Sequence, residues 1–266
     1  MLQLSTWKPG QAREATKEEK EFYEENGYIV LKGVYSSEEC DEIFAVIERH
    51  ADHDFAAIMN PHRSEFLRAL DPRPNNFRIN SQIAESSNFL SELMKDPRIV
   101  AVLESLQGNI LDGVMSQIIF KEAGSNYASQ GWNPHQDNAY TRNKNGLYIT
   151  TNLFLEKALF ENGTMYLYPG SHKEGLLPSE HKRSFREDKG TNPGNTVEIP
   201  EKHKGKDKLI NFDKGDVLVL HGNVIHGSYP NISKILSRPL YMNTYLPPGE
   251  DYNPGVIAKR ERMKLH

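Results

Sequence analysis

At 266 residues the chain is long enough for one large domain or two small ones. Charged residues make up 26% and the formal net charge is -4, which argues against a nucleic-acid partner or an anionic membrane surface. A single cysteine, Cys40, rules out an internal disulfide; no apolar run is long enough to span a bilayer, and residues 1–7 lack a secretory signal's basic and apolar regions, so a cytoplasmic setting is expected.

Residues 1–14 are polar. A helix is predicted to follow, with Thr16 as N-cap, Glu19 as its capping-box partner, and Asn26-Gly27 as a left-handed stop. Residues 28–31 read as a short buried strand. Ser36-Ser37-Glu38-Glu39 opens a second helix, in which Cys40, Ile43, Phe44 and Ile47 recur at helical spacing. The proline-bearing stretch 51–80 receives no assignment. Residues 91–106 read as helical, with a break near Pro97.

From Gly113 onward the texture changes. Residues 114–121, 149–155, 164–168, 217–220 and 240–245 are short, rich in β-branched or aromatic side chains, and separated by Gly, Pro and Asn. Helices first and short strands afterwards imply an α+β fold. Its core is a jelly-roll or cupin-like barrel over 111–250, flanked by N-terminal helices over 1–110, within one domain covering 1–266. The charged segment 172–208 is read as a surface excursion between strands.

The chemistry concentrates in Trp132-Asn133-Pro134-His135-Gln136-Asp137 and in His221-Gly222-Asn223-Val224-Ile225-His226-Gly227-Ser228. Two imidazoles and one carboxylate are the donor set of the facial triad of non-haem Fe(II) oxygenases, which leaves open coordination positions. On a strand, positions i and i+2 share a face, so His135 and Asp137 are expected to converge while Gln136 points away. Spacing alone leaves His221 and His226 in competition as the third ligand. His172 and His203 lie in polar stretches and are expected to be exposed. Arg238, at the start of the last strong strand, offers a planar guanidinium that can pair bidentately with the distal carboxylate of 2-oxoglutarate.

Taken in order along the chain, these segments resemble the phytanoyl-CoA dioxygenase family of Fe(II)/2-oxoglutarate oxygenases. The opening 22–31, Pro134-His135-Gln136-Asp137, Glu161-Asn162-Gly163-Thr164-Met165 with Pro169-Gly170-Ser171-His172, and Gly215-Asp216 through His226-Gly227-Ser228 and Asn231 are each similar to a family motif. The resemblance implies a double-stranded β-helix holding Fe(II) through His135, Asp137 and His226, with 2-oxoglutarate as cosubstrate, dioxygen as oxidant and Arg238 as the cosubstrate anchor. It places Lys121 and Gln117, four apart on one strand and so expected to share a face, beside the cosubstrate or substrate. Asn152 falls where many members carry a tryptophan near the cosubstrate. Retention of Asp137 argues against the halogenating branch.

The expected activity is hydroxylation of a small metabolite, with Tyr127, Trp132, Tyr140 and Arg78 as candidate substrate residues. Two alternatives stay open. One is an acyl-CoA 2-hydroxylase that uses Lys202, Lys204, Lys206 and Lys208 for the CoA phosphates. The other is a non-redox cupin-like barrel, either a hydrolase or isomerase or a ligand-binding protein, which would need no arginine at 238. The oligomeric state is not legible.

Overall fold

The computed structural model describes residues 11–48, 56–60, 65–68, 89, 91–124, 128, 131–182, 194–255 and 260–266. Its helices are α1 (Lys17–Asn26), α2 (Ser37–Glu48), α3 (Pro97–Gln107) and the single turn α4 (Asn138–Thr141). The strands of the first part are β1 (Tyr28–Leu31), β2 (Ala56–Asn60), β3 (Glu65–Arg68), β4 (Asp112–Ile119), β5 (Trp132–His135), β6 (Ile149–Phe154) and β7 (Met165–Leu167). They are followed by β8 (Ser179–Lys182), β9 (Gly194–Val197), β10 (Lys208–Leu209), β11 (Val217–His221), β12 (His226–Ser228), β13 (Leu240–Leu246) and β14 (Met263–Lys264). No helix among the described residues is long and apolar enough to cross a membrane.

Local chemistry sets the first elements. Thr16 accepts from the Glu19 amide, and Glu19 reaches back to the Thr16 amide, so both orphan donors at the start of α1 are satisfied. Gly27 ends the helix at φ 77°, a conformation that costs other residues a Cβ clash. Ser36 and Glu39 repeat the reciprocal pair ahead of α2.

Among the described residues the strands form two larger antiparallel sheets and a separate two-stranded ribbon, β8-β9. The larger runs β1-β11-β6-β13-β4-β2-β3, with β14 also on β4; the smaller runs β10-β7-β12-β5. In β11 the side chains alternate between two cores. Val217 and Val219 meet the helical flank through Ile43, Ile47, Val102 and Leu103, whereas Leu218 and Leu220 face the smaller sheet through Met165, Leu167 and Phe212. A strand buried on both faces reads as an unbroken apolar run, which is why 217–220 shows no polar alternation.

The structure fills in one unassigned stretch and amends two expectations. The unassigned stretch 51–80 contains β2 and β3, and β2 pairs with the end of β4. The 172–208 excursion is not merely solvated. β8 and β9 form a ribbon, and β9 docks on β5, where Thr196 Oγ1 donates to the Pro134 carbonyl at 3.2 Å and Val197 is buried beside Tyr168 and Ile225. His203, expected to be exposed, is buried and bonded to Glu174 at 3.1 Å.

The turn before β11 is held by Asp216, which is 1% exposed. Its carboxylate accepts from the Gly33 amide at 2.9 Å, the Asp213 amide at 2.8 Å and the Lys32 ammonium. Removing it strands two backbone donors. Asp216→Ala is therefore expected to lower the unfolding free energy in urea by about 2–4 kcal/mol. Lys32→Ala, whose side chain is 41% exposed, should stay within about 1 kcal/mol.

Candidate metal centre

His135 ends β5 and His226 begins β12, and the two are directly opposed in the strand register. Opposed residues share a face, so both imidazoles enter the space between the sheets, with ring centroids 4.3 Å apart. Each ring is tethered locally. The Nδ1–H of His135 donates to the Asn133 carbonyl at 2.7 Å and that of His226 to the Val224 carbonyl at 3.1 Å. The proton is thereby held on Nδ1, and both Nε2 lone pairs are left for a ligand.

Asp137 closes the set, by a route other than the expected one. It does not lie on a strand: β5 stops at His135, and Asp137 has helical φ and ψ (-62°, -34°) as the residue that opens α4. The turn carries its Oδ1 to 3.5 Å from His135 Nε2 and 3.6 Å from His226 Nε2. One donor atom from each of the three residues lies within 4.8 Å of the others, a grouping able to hold a metal ion. The second carboxylate oxygen accepts from Thr150 Oγ1 at 3.0 Å. Burial opposes ionisation of Asp137, but the two imidazoles and the Thr150 hydroxyl outweigh it and hold the carboxyl at about 2. Burial pushes His226 down to about 4, against the pull of Asp137, which keeps the imidazole neutral as a metal requires.

The loop that presents Asp137 is braced by buried amides. Gln136 donates to the Gly175 and Asn223 carbonyls at 2.8 and 2.6 Å and accepts from the Leu177 amide at 2.8 Å. The Asn138 side chain bonds Asn143, Asn223 and Thr141, and its amide donates to the Gly222 carbonyl. His221, the competitor for the distal position, stands apart from the triad. Its Nδ1 accepts from the Asn223 amide, its ring lies 5.0 Å from that of His172, and burial holds it at about 4.

The remaining predicted residues fall into three groups. Gln117 and Asn152 both pair with Met242, so the three form one row across the inner face of the larger sheet. That row neighbours the one formed by Thr150 and Thr244. Lys121 and Arg238 form a second group. Lys121 does not share a strand face with Gln117: it lies beyond the end of β4 at φ 39°, and that turn sends it into the protein. Its ammonium, 0% exposed, donates to Ser228 Oγ at 2.9 Å and to the Tyr229 carbonyl. Arg238 is 1% exposed and donates through Nε to the Gly163 carbonyl at 3.1 Å, and its amide donates to the Lys121 carbonyl. Burial and the neighbouring Arg238 charge hold the Lys121 ammonium well below the usual lysine range.

Trp132 and Tyr140 form the third group, with rings 5.6 and 6.4 Å from that of His135. Tyr127 and Arg78 lie outside the described residues. Three residues were missed from sequence: Thr150, Gln136 as a brace, and Ser228. Ser228 was findable, since it stands two places after His226 on the same strand and so faces the same way.

Residues 23–239 match the profile of phytanoyl-CoA dioxygenase (PhyH). The chain belongs to the phytanoyl-CoA dioxygenase family. With that membership come the oxidoreductase class, dependence on iron and 2-oxoglutarate, and the jelly-roll core. Phytanoyl-CoA dioxygenase domain-containing protein 1 of Danio rerio is 25% identical over 85% of this chain and 88% of its own. The ectoine dioxygenase of Bordetella bronchiseptica is 25% identical over 91% and 82%. Among solved structures, the carbocyclase SnoK from nogalamycin biosynthesis superposes with a TM-score of 0.66 at 21% identity, covering 94% of this chain and 91% of that one. The epimerase SnoN, in complex with Fe3+, alpha ketoglutarate and nogalamycin RO, gives 0.64 at 21% identity, covering 93% and 94%. At these identities the likeness of this family member to both structures is one of fold.

The Thr150 hydroxyl orients Asp137 without facing solvent. Thr150→Val keeps the shape and removes that bond. Anaerobic Fe(II) or Mn(II) titration is expected to show metal affinity reduced by about 10- to 100-fold, with thermal stability little changed; unaltered affinity would show that the hydroxyl has no part in presenting the carboxylate.

Proposed function

We propose that the protein is an Fe(II)- and 2-oxoglutarate-dependent dioxygenase that hydroxylates an unactivated C–H bond of a small metabolite. The observation that carries this reading is the convergence of His135 Nε2, His226 Nε2 and Asp137 Oδ1 on one point between the sheets. Two neutral imidazoles and one carboxylate, with no thiolate, suit ferrous iron and leave part of its coordination sphere open.

In this reading His135, Asp137 and His226 hold the iron. Iron with 2-oxoglutarate supplies the oxidising power, dioxygen being consumed as the 2-oxo acid loses carbon dioxide to become succinate. Asp137, ionised at any working pH, contributes the negative charge that offsets the metal. Arg238, a permanent cation, and the buried Lys121 amine make a donor-rich corner that suits the distal carboxylate of the cosubstrate, with Ser228 Oγ as a further partner. Gln117 and Asn152 line the inner wall between that corner and Asp137. Trp132 and Tyr140 form the substrate side, next to His135. The enclosing apolar residues keep water from the reacting atoms.

Two observations separate this reading from its competitors. A non-redox barrel has no use for a buried arginine together with a buried lysine that bonds Ser228, two places after His226 on the same strand. An acyl-CoA would want free lysines for its phosphates; of the four candidates Lys202 pairs with Glu174 at 2.5 Å, Lys204 with Glu201, and Lys208 bonds the Tyr28 hydroxyl at 3.2 Å, which leaves Lys206 as the one without such a partner among the described residues. The names of the relatives and neighbours span an ectoine dioxygenase, a carbocyclase and an epimerase, so the outcome of the C–H step is itself a point to test.

The test is a screen for substrate-dependent succinate across amino acids, cyclic amino-acid derivatives, phosphonates and acyl-CoA thioesters, with product mass separating oxygen gain from hydrogen loss. Turnover confined to acyl-CoA thioesters would overturn the small-metabolite reading. His135→Ala and Asp137→Ala are each expected to reduce succinate to background; near-normal turnover in either would remove the metal assignment. Arg238→Gln should raise the KM for 2-oxoglutarate roughly 30-fold or more, the equivalent of about 2 kcal/mol, with iron content retained. An unchanged KM would place the anchor elsewhere.

A further inference from the structure

The outer face of the smaller sheet carries a second concavity. Along β12, His226 and Ser228 point inward, so Gly227 and the next residue, Tyr229, point outward. Tyr166 is the register partner of Gly227 and therefore also faces out, as does Tyr168 two residues later. Tyr166, Tyr168 and Tyr229 line a cavity of about 320 Å3 whose other walls include Gly131, Asn133 and Asp207. That volume is at the small end of the roughly 300–1,000 Å3 typical of small-molecule sites.

The walls are placed by the sheet. The Tyr166 ring crosses directly over Gly227, where an added Cβ would lie 2.4 Å from the tyrosine hydroxyl, and its hydroxyl donates to the Trp132 carbonyl at 3.1 Å. Tyr168 stands nearly perpendicular to it, at 83° and 6.3 Å between centroids. Tyr229 closes the other side at 5.1 Å and 55°, and is itself backed by Phe160 at 4.8 Å. The β10–β7 register, in which Lys208 pairs with Leu167, sets Asp207 opposite Tyr168. Asp207 shares the pocket wall with the three tyrosines, and after burial its charge is the next cause that raises the hydroxyl pKa of Tyr168 and Tyr229. Among the described residues Asp207 has no ion-pair partner, and Lys208 turns away to the Tyr28 hydroxyl.

We propose that this cavity is a binding site for a small alkylammonium cation, held over the rings of Tyr166, Tyr168 and Tyr229 and neutralised by Asp207. Three tyrosine rings lining one pocket offer it π surface, which attracts a cation and in particular one too alkylated to be held by hydrogen bonds. The adjacent carboxylate supplies the full counter-charge. A neutral or anionic ligand gains nothing from this combination. The tyrosine rings lie across the smaller sheet from the metal cluster, while Trp132 and Ser228, which the oxygenase reading uses, also contribute to the pocket wall.

The probe is choline, with its neutral isostere 3,3-dimethyl-1-butanol as the control. Binding to the full-length protein is followed by isothermal titration and by ligand-observed NMR. Choline should bind at least about tenfold tighter than the isostere, and Asp207→Asn and Tyr229→Leu should each weaken it by about tenfold. Both substitutions fall on partly or fully exposed residues, and circular dichroism confirms that each variant is folded. Added 2-oxoglutarate should leave the affinity unchanged. The proposal is overturned by absence of choline binding, by equal binding of the isostere, by variants that bind as wild type, or by competition from 2-oxoglutarate, which would put the cation in the metal chamber.

Discussion

The structure turns on one pairing, His226 of β12 opposite His135 of β5. A slip of one residue would turn one imidazole out of the sandwich, and the donor set would no longer exist. The register is protected on both sides. On one side β12 is locked to β7 by three consecutive pairs, from His226↔Leu167 to Ser228↔Met165. On the other, the ladder with β5 is irregular beyond His226, where a bulge opposes Ser228 to Trp132. The irregularity falls on the far side of the metal ligands, so it reshapes the wall near Lys121 and Arg238 and leaves the imidazole pair opposed. The tethers of the two rings are of the same kind, each Nδ1 bonded to the carbonyl two residues earlier in its own chain segment. Neither ring depends on the other for its tautomer.

Polar groups inside the sandwich are tolerated because each lies in a network. Asp137 is bonded to Thr150, Lys121 to Ser228 and Tyr229, Arg238 to Gly163, and Gln136 to three backbone groups. Buried polar groups of this number would be costly if unsatisfied. They also divide the interior. The half of the sandwich nearest Phe154, Phe212 and Leu218 is an ordinary apolar core, with Phe154 and Phe212 stacked at 3.8 Å. The other half is the chamber.

What was readable in advance followed from local rules. The capping box at Thr16 depends on residues three apart and is present, and the helix start read at 36–39 forms with a reciprocal Ser36–Glu39 pair of the same kind. The five strands with β-branched or aromatic runs all formed, and residues 28–31 form β1 as expected. The errors share a cause as well. Asp137 was placed on a strand because a period of two is the simplest way to bring it near His135, but chain direction there is set by Asn138, whose partners Asn143 and Asn223 are remote in different ways. Lys121 was given a strand face because no local signal announces a left-handed backbone at a lysine. β2 and β3 owe their existence to the open edge of β4, a tertiary feature that composition does not carry.

The excursion at 172–208 reaches the wall beside His135. Tyr140 stands beside His135, yet its hydroxyl accepts from the Asn195 amide at 2.9 Å, and a Cβ at Gly194 would lie 2.5 Å from that same oxygen. The wall nearest the metal is thus held by β9 rather than by the barrel. The group of Lys121, Ser228 and Arg238, in contrast, is set by the barrel's own strand ends and turns. The imidazole pair and the Tyr140 side of the wall are therefore held by different parts of the chain. Changes in the charged segment can reposition Tyr140 without disturbing the imidazole register, which is a physical reason for one barrel to serve unrelated substrates.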